Sequence, residues 1–223
     1  MTDRRDMFFQ SHMSKYRKGF SIIEPYITQD SVIFDIGSNI GMFSLAICES
    51  TKYDTLYLFE PSRELIDYSK EKLAGFSNIN FINKGVGSTN ESLILYKNTD
   101  SNIGWNSYYE KDPLQPGGML PINKMEQEET DVITLDTFCD QNNISRIDFV
   151  KIDVEGMEFK VLEGFLLTLQ ILDKKPYLYV EVGWGTAHPE WDLVNSVYEE
   201  IFDIGYNRVK FTDKTEDVLF IPL

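Results

Sequence analysis

Gly37 and Gly41 follow directly on the apolar run Val32-Ile33-Phe34-Asp35-Ile36, and Glu60-Pro61 closes the next apolar run, Leu56-Tyr57-Leu58-Phe59. A strand, a glycine turn, a helix start and a second strand ending in a carboxylate form the arrangement with which open α/β sheets hold a nucleoside. Glycine lets the backbone approach the ligand, and an acid roughly 20 positions on accepts from the ribose hydroxyls. The plainer alternative is that both glycines only permit a tight turn. The position of Glu60 favours the ligand.

Glycine spacing narrows the ligand. A dinucleotide turn, G-x-G-x-x-G, needs a bare backbone where Asn39 stands, so that a pyrophosphate can close in. Asn39 and Met42 therefore suit a nucleoside without phosphate, and S-adenosylmethionine has that form: adenosine, a sulfonium and an amino acid tail. The expected cofactor contacts are Asp35, Gly37, Ser38, Asn39, Gly41, Glu60, Asn83 and Asp153.

Methyl transfer to a hydroxyl requires loss of the hydroxyl proton, so a base or a metal ion must assist. Predicted strand ends carry Asp35, Glu60, Asn83, Asp153 with Glu155, and Glu181. Carboxylates are too costly inside a strand but tolerable at its end. Two routes stay open. His188, in a glycine-rich aromatic loop after Glu181, is a candidate base, with capping of the next helix as its alternative role. Asp153 and Glu181 could instead hold Mg²⁺, whose remaining ligands would be water and substrate oxygens. Asp153 and Glu155 also suit the cap of a helix beginning at Met157. His12 is assigned a surface role. Zinc is disfavoured, because the chain has only two histidines and two cysteines.

These residues need a parallel sheet to bring them together. Strand signals at 31–37, 55–60, 79–83, 147–153 and 177–182 alternate with helix signals, including 62–76 and 157–169. That alternation predicts an α/β, doubly wound, mostly parallel sheet. A helix over 190–204, a stop at Gly205 and strands at 206–211 and 217–221 predict a C-terminal antiparallel hairpin. Residues 1–30 form a helical lead-in and 31–223 the cofactor-binding domain. The segment 98–130, rich in Asn, Gly, Pro and Tyr, breaks the alternation. It is either a substrate lid or a surface excursion. Trp105, Asn106 and Tyr108 from it, with Trp184 from the later loop, are the candidate acceptor contacts.

Composition restricts partners. The 223 residues are 42% apolar, enough for a sizeable core, and carry a formal charge of −15. Such a surface repels phosphate backbones, which argues against nucleic acid. No apolar run reaches the roughly 18 residues of a membrane span. Cys48 and Cys139 match no metal or redox spacing and are expected as buried fillers in a reduced, cytoplasmic setting. The sequons at Asn90 and Asn143 are expected to be unused.

The blocks Phe34-Asp35-Ile36-Gly37-Ser38-Asn39-Ile40-Gly41, Phe59-Glu60-Pro61, Thr134-Leu135-Asp136 and Ile147 through Gly164 resemble the FkbM family of S-adenosylmethionine-dependent methyltransferases. That resemblance implies a class I methyltransferase fold and O-methylation of a sugar or related polyhydroxylated acceptor, a small molecule or glycan. It also implies that 35–41 cradle the methionine part, Glu60 the ribose and Asn83 with its neighbours the adenine side. Two other readings stay open: a nucleotide-sugar or dinucleotide-dependent enzyme on the same sheet, and a catalytically silent methyltransferase-like binding domain.

Overall fold

The computed structural model describes residues 3–98, 103–109, 125–182, 186, 188–210 and 217–223. The strands, in chain order, are β1 (Val32–Ile36), β2 (Thr55–Phe59), β3 (Ile79–Ile82), β4 (Gly85–Val86), β5 (Glu91–Lys97), β6 (Glu126–Ile133), β7 (Phe149–Ile152), β8 (Tyr177–Glu181), β9 (Tyr206–Lys210) and β10 (Asp217–Pro222). The helices are α1 (Arg4–Ile23), α2 (Met42–Ser50), α3 (Arg63–Lys72), α4 (Leu135–Gln141), α5 (Glu158–Glu163), α6 (Leu166–Ile171) and α7 (Trp191–Asp203).

Seven strands form the main sheet in the order β3-β2-β1-β7-β8-β10-β9. The first five are parallel, and β10 runs antiparallel to both β8 and β9. After β1 the chain builds outward through β2 and β3, then returns to place β7 on the other side of β1. Strand order therefore reverses between β1 and β7, and the crevice where such sheets bind ligands opens there.

Side-chain alternation along β1 divides the core in two. Val32, Phe34 and Ile36 pack with residues of α4 to α7, while Ile33 packs with residues of α1, α2 and α3. The expected helix over 62–76 buries Leu65, Ile66, Ser69 and Leu73, but Phe76 lies beyond its end and is 38% exposed.

Two expectations need correction. The single helix over 157–169 is two, broken at Gly164-Phe165. A Cβ on Gly164 would stand 2.1 Å from the Gly87 carbonyl oxygen, and the Gly164 carbonyl accepts from the Asp136 amide, so close chain crossing breaks the helix. The segment 98–130 is also not irregular throughout. Its last residues begin β6, which pairs with β5 and β4 in a separate three-stranded sheet. Glu126-Gln127-Glu128-Glu129 offers no apolar alternation, and most of this pair is solvated, so the usual strand signal is missing. Residues 99–102 and 110–124 of that segment, and the expected strand end at Phe211, lie outside the described residues.

Candidate active site

A cavity of about 340 Å³ lies over the carboxyl ends of β1, β2, β7 and β8. Gly37, Ser38 and Asn39 form one wall as the chain leaves β1, and Glu60 and Pro61 extend it from β2. The turn folds as it does because Gly37, Asn39 and Gly41 all take positive φ, at 73°, 51° and 78°. Gly37 cannot be replaced: a Cβ there would stand 1.9 Å from the Asp153 carbonyl oxygen. Ser38 Oγ, on a residue only 4% exposed, has no hydrogen-bond partner among the described residues.

Glu60 is tied down at both oxygens. Its Oε2 accepts from the Asn39 amide at 2.9 Å and its Oε1 from the Ser62 amide at 2.9 Å. Burial pushes its carboxyl up to about 7 despite those two bonds. Asn83 does not line the cavity. Its amide donates to the Glu60 carbonyl at 3.0 Å and the Pro61 carbonyl at 2.7 Å, fixing the segment that presents Glu60. Lys84, Gly85 and Val86 provide the wall beyond it.

A row of polar groups crosses the sheet on the α1–α2 side. Asp35 on β1 is in register with Lys151 on β7, and Lys151 with Tyr179 on β8. The buried Lys151 ammonium lies 3.4 Å from Asp35 Oδ1 and 3.2 Å from Asp153 Oδ2, and donates to the Gly37 carbonyl at 3.1 Å. Burial opposes its charge, but Asp153 and Asp35 outweigh burial and hold it above the ordinary lysine range. Asp35 itself is fully buried and accepts from Ser44 Oγ at 2.6 Å, so it anchors this row and does not reach the cavity.

Asp153, Glu155 and Glu181 present carboxylate oxygens within 4.8 Å of one another, a spacing open to a cation. Lys151 outweighs burial and keeps Asp153 below the usual carboxylate range. The Asp153 charge, reinforced by burial, pushes Glu181 up to about 11. One proton is thus retained on Glu181 beside an ionised Asp153. Asp217, opposite Glu181 on β10, also lines the cavity and accepts from the Tyr179 hydroxyl at 2.8 Å.

The roof comes from 103–109. Asn39 Nδ2 donates to the Ile103 carbonyl at 2.9 Å, Ser107 Oγ donates to the Glu155 carbonyl at 2.7 Å, and Tyr96 and Ser107 exchange backbone bonds. Trp105, Asn106 and Tyr108 all line the cavity, while Trp184 lies outside the described residues.

His188 stands away from the cavity lining. Its Nδ1 accepts from the Glu190 amide at 3.0 Å, which leaves the proton on Nε2, 2.8 Å from the Gly156 carbonyl. Both nitrogens are engaged by backbone, and the ring sits edge-on to Phe159 and Tyr109. His188 braces the 153–157 loop instead of facing an acceptor. The expected cap by Asp153 and Glu155 is replaced by Glu158, which accepts from the Val154 amide at 2.9 Å and the Gly156 amide at 3.1 Å. Gly41 opens α2 and packs against Ser69, outside the cavity lining.

Sequence reasoning passed over Lys151, Tyr16, Tyr179 and Asp217. A lysine within the otherwise apolar Phe149–Ile152, two residues before Asp153 on the same face, was a usable signal for a buried charge needing carboxylates. Nothing local marked α1, expected only as a helical lead-in, as part of the site. Phe8, His12, Lys15, Tyr16 and Phe20 of that helix line the cavity, so His12 is part of the site wall and not a surface group apart from it.

The methyltransferase FkbM domain family matches residues 35–207. Methyltransferase 1 of Beauveria bassiana is 29% identical over 187 residues, 78% of this chain and 66% of the relative. Hexuronic acid methyltransferase AglP of Haloferax volcanii is 27% identical over 157 residues, 70% of this chain and 58% of the relative. The chain thus spans less than two thirds of the length of these curated relatives. Among solved structures, the protein SMU.1697c of Streptococcus mutans in complex with S-adenosylhomocysteine shares the fold, with a TM-score of 0.53 at 11% identity over 92% of this chain and 97% of the other.

Proposed function

The chain belongs to the FkbM methyltransferase family, and from that premise we propose that it transfers the methyl group of S-adenosylmethionine to a hydroxyl of a sugar or related polyhydroxylated acceptor. The observation that carries this reading is the wall formed by Ser38 and Glu60. A buried hydroxyl without a partner among the described residues and a buried carboxylate face one cavity at the strand-order reversal, where open sheets of this kind bind their ligands.

Gly37, Ser38 and Asn39 would hold the amino acid part, Glu60 the ribose and the Lys84–Val86 wall the adenine. The cofactor supplies an electrophilic methyl carbon. The residues of the chain do the rest: they orient the acceptor hydroxyl and remove its proton. Asp153, ionised beside Lys151, is the carboxylate in the cavity available to take that proton, although Lys151 weakens it as a base, and Glu181, by retaining its own proton, puts no second negative charge beside it. The hexuronic acid methyltransferase among the relatives supports a sugar acceptor.

A second reading follows from the spacing of Asp153, Glu155 and Glu181. A magnesium ion held by these carboxylates would acidify the acceptor hydroxyl directly. Chelation separates the two: activity that persists in excess chelator excludes the metal.

Calorimetric titration with S-adenosylhomocysteine tests the first half of the proposal, with binding expected at micromolar affinity. Folded protein that gives no heat and no competition overturns it. Transfer of labelled methyl to sugar hydroxyls tests the second half.

A further inference from the structure

Helix α1 precedes the residues that match the family, yet it builds much of the cavity wall. Tyr16 of this helix lies within electrostatic reach of Asp153 and Glu181, and Lys15 of Asp153 and Asp217, at the ends of β7, β8 and β10 and not at the β2 end that carries Glu60. That side is where an acceptor must enter, because the cofactor contacts lie over β1 and β2.

The cations of this cavity differ in what they already touch. Lys151 is matched by Asp35 and Asp153, and Lys84 by Asp131 at 3.2 Å. Lys15 makes no ion pair among the described residues, although its ammonium is within electrostatic reach of Asp153 and Asp217. Tyr16 beside it offers an aromatic ring to the same space. Phe8, Met13, Phe20 and Ile23 bury the helix with residues of α2 and α3, so this face is fixed and not free to swing.

We propose that this face of α1 is the acceptor subsite, and that Lys15 selects an acceptor carrying a carboxylate, a uronic acid type of sugar, over its neutral counterpart. The inference rests on the methyltransferase reading above and names its substrate class. An exposed ammonium at the rim steers an anion in and pairs with it on arrival, while the aromatic wall covers the apolar face of the ring. Lys15 is a specificity residue and takes no part in bond making.

The test uses the full chain saturated with S-adenosylhomocysteine, and ligand-observed NMR titrations with glucuronate and glucose as probes. Glucuronate is expected to bind at least tenfold more tightly than glucose, Lys15→Gln to reduce that preference below twofold, and Lys15→Arg to keep it. Equal binding of both sugars, binding of neither, or a preference that survives Lys15→Gln overturns the inference. So does a variant that weakens both sugars alike, since Lys15 would then serve only to offset Asp153 and Asp217. Absence of S-adenosylhomocysteine binding would instead overturn the methyltransferase reading, which keeps the two failures distinct.

Discussion

At the scale of single residues the site depends on charges that are buried and matched. Lys151 satisfies Asp35, Asp153 and the Gly37 carbonyl together. Lys151→Met leaves the fully buried Asp35 carboxylate without its cation, and such a loss costs about 3–5 kcal/mol. Adding Asp35→Asn should restore most of that stability in urea denaturation, though not activity, because Asp153 stays without its lysine. Glu60 sets a pH dependence. Burial raises its carboxyl to about 7, so below that pH the ribose hydroxyls meet an acid and not a carboxylate. Affinity for S-adenosylhomocysteine should therefore fall as pH drops below 7, approaching tenfold per pH unit, and level off above it. Glu60→Gln should bind more weakly and lose this slope, which calorimetry between pH 5.5 and 8.5 reads directly.

At the scale of elements, Asn39 links the cofactor turn to the roof. Its backbone amide donates to Glu60, its carbonyl accepts from Ser69 Oγ at 2.9 Å and its side chain donates to the Ile103 carbonyl. Asn39→Gly keeps the left-handed backbone and removes only the side-chain bonds. Amide exchange at Tyr96 and Ser107, whose backbone bonds hold the roof, should then accelerate roughly five- to tenfold, a change on the order of 1 kcal/mol for a lost hydrogen bond. Unchanged exchange would show that Ser107 on Glu155 secures the roof unaided. The sequence made the turn legible, since glycine and asparagine are the residues that tolerate positive φ. It did not make the roof legible, because Asn39 meets Ile103 only after β5 and β6 pair and bring 103–109 back over β1. The Gly164 break was hidden for the same reason: the obstacle is Gly87, remote in sequence.

At the scale of the whole molecule, α1 joins one of the two cores and also walls the site. Phe8, Met13, Phe20 and Ile23 are buried with residues of β1, β2, α2 and α3. Packing, not the surface ion pairs, holds the helix down. Phe20→Ala should cost about 3–5 kcal/mol, while Arg17→Ala, which removes an exposed pair with Glu49, should stay within about 1 kcal/mol. Thermal and urea denaturation of the two variants decide between these terms, and a costly Arg17→Ala would show that the ion pairs fix α1. Among the described residues no helix is long and apolar enough to cross a membrane.

The sequence by itself determined the strand–helix alternation, the glycine turn, Glu60 and the carboxylates of the 147–164 block. Each is encoded locally, in periodicity or in a residue type that its backbone demands. Only the tertiary structure decided which of those groups share a cavity. It drew His188 into bracing a loop, buried Asp35 under Lys151, and brought Lys15 and Tyr16 of α1 to the ends of β7, β8 and β10. The reason is physical: a strand or helix is selected by neighbours within a few residues, whereas a site is assembled across strands by packing and by the matching of buried charge. The order β3-β2-β1-β7-β8-β10-β9 sets Ile33 on β1 beside Phe149 on β7, and no local pattern records that adjacency.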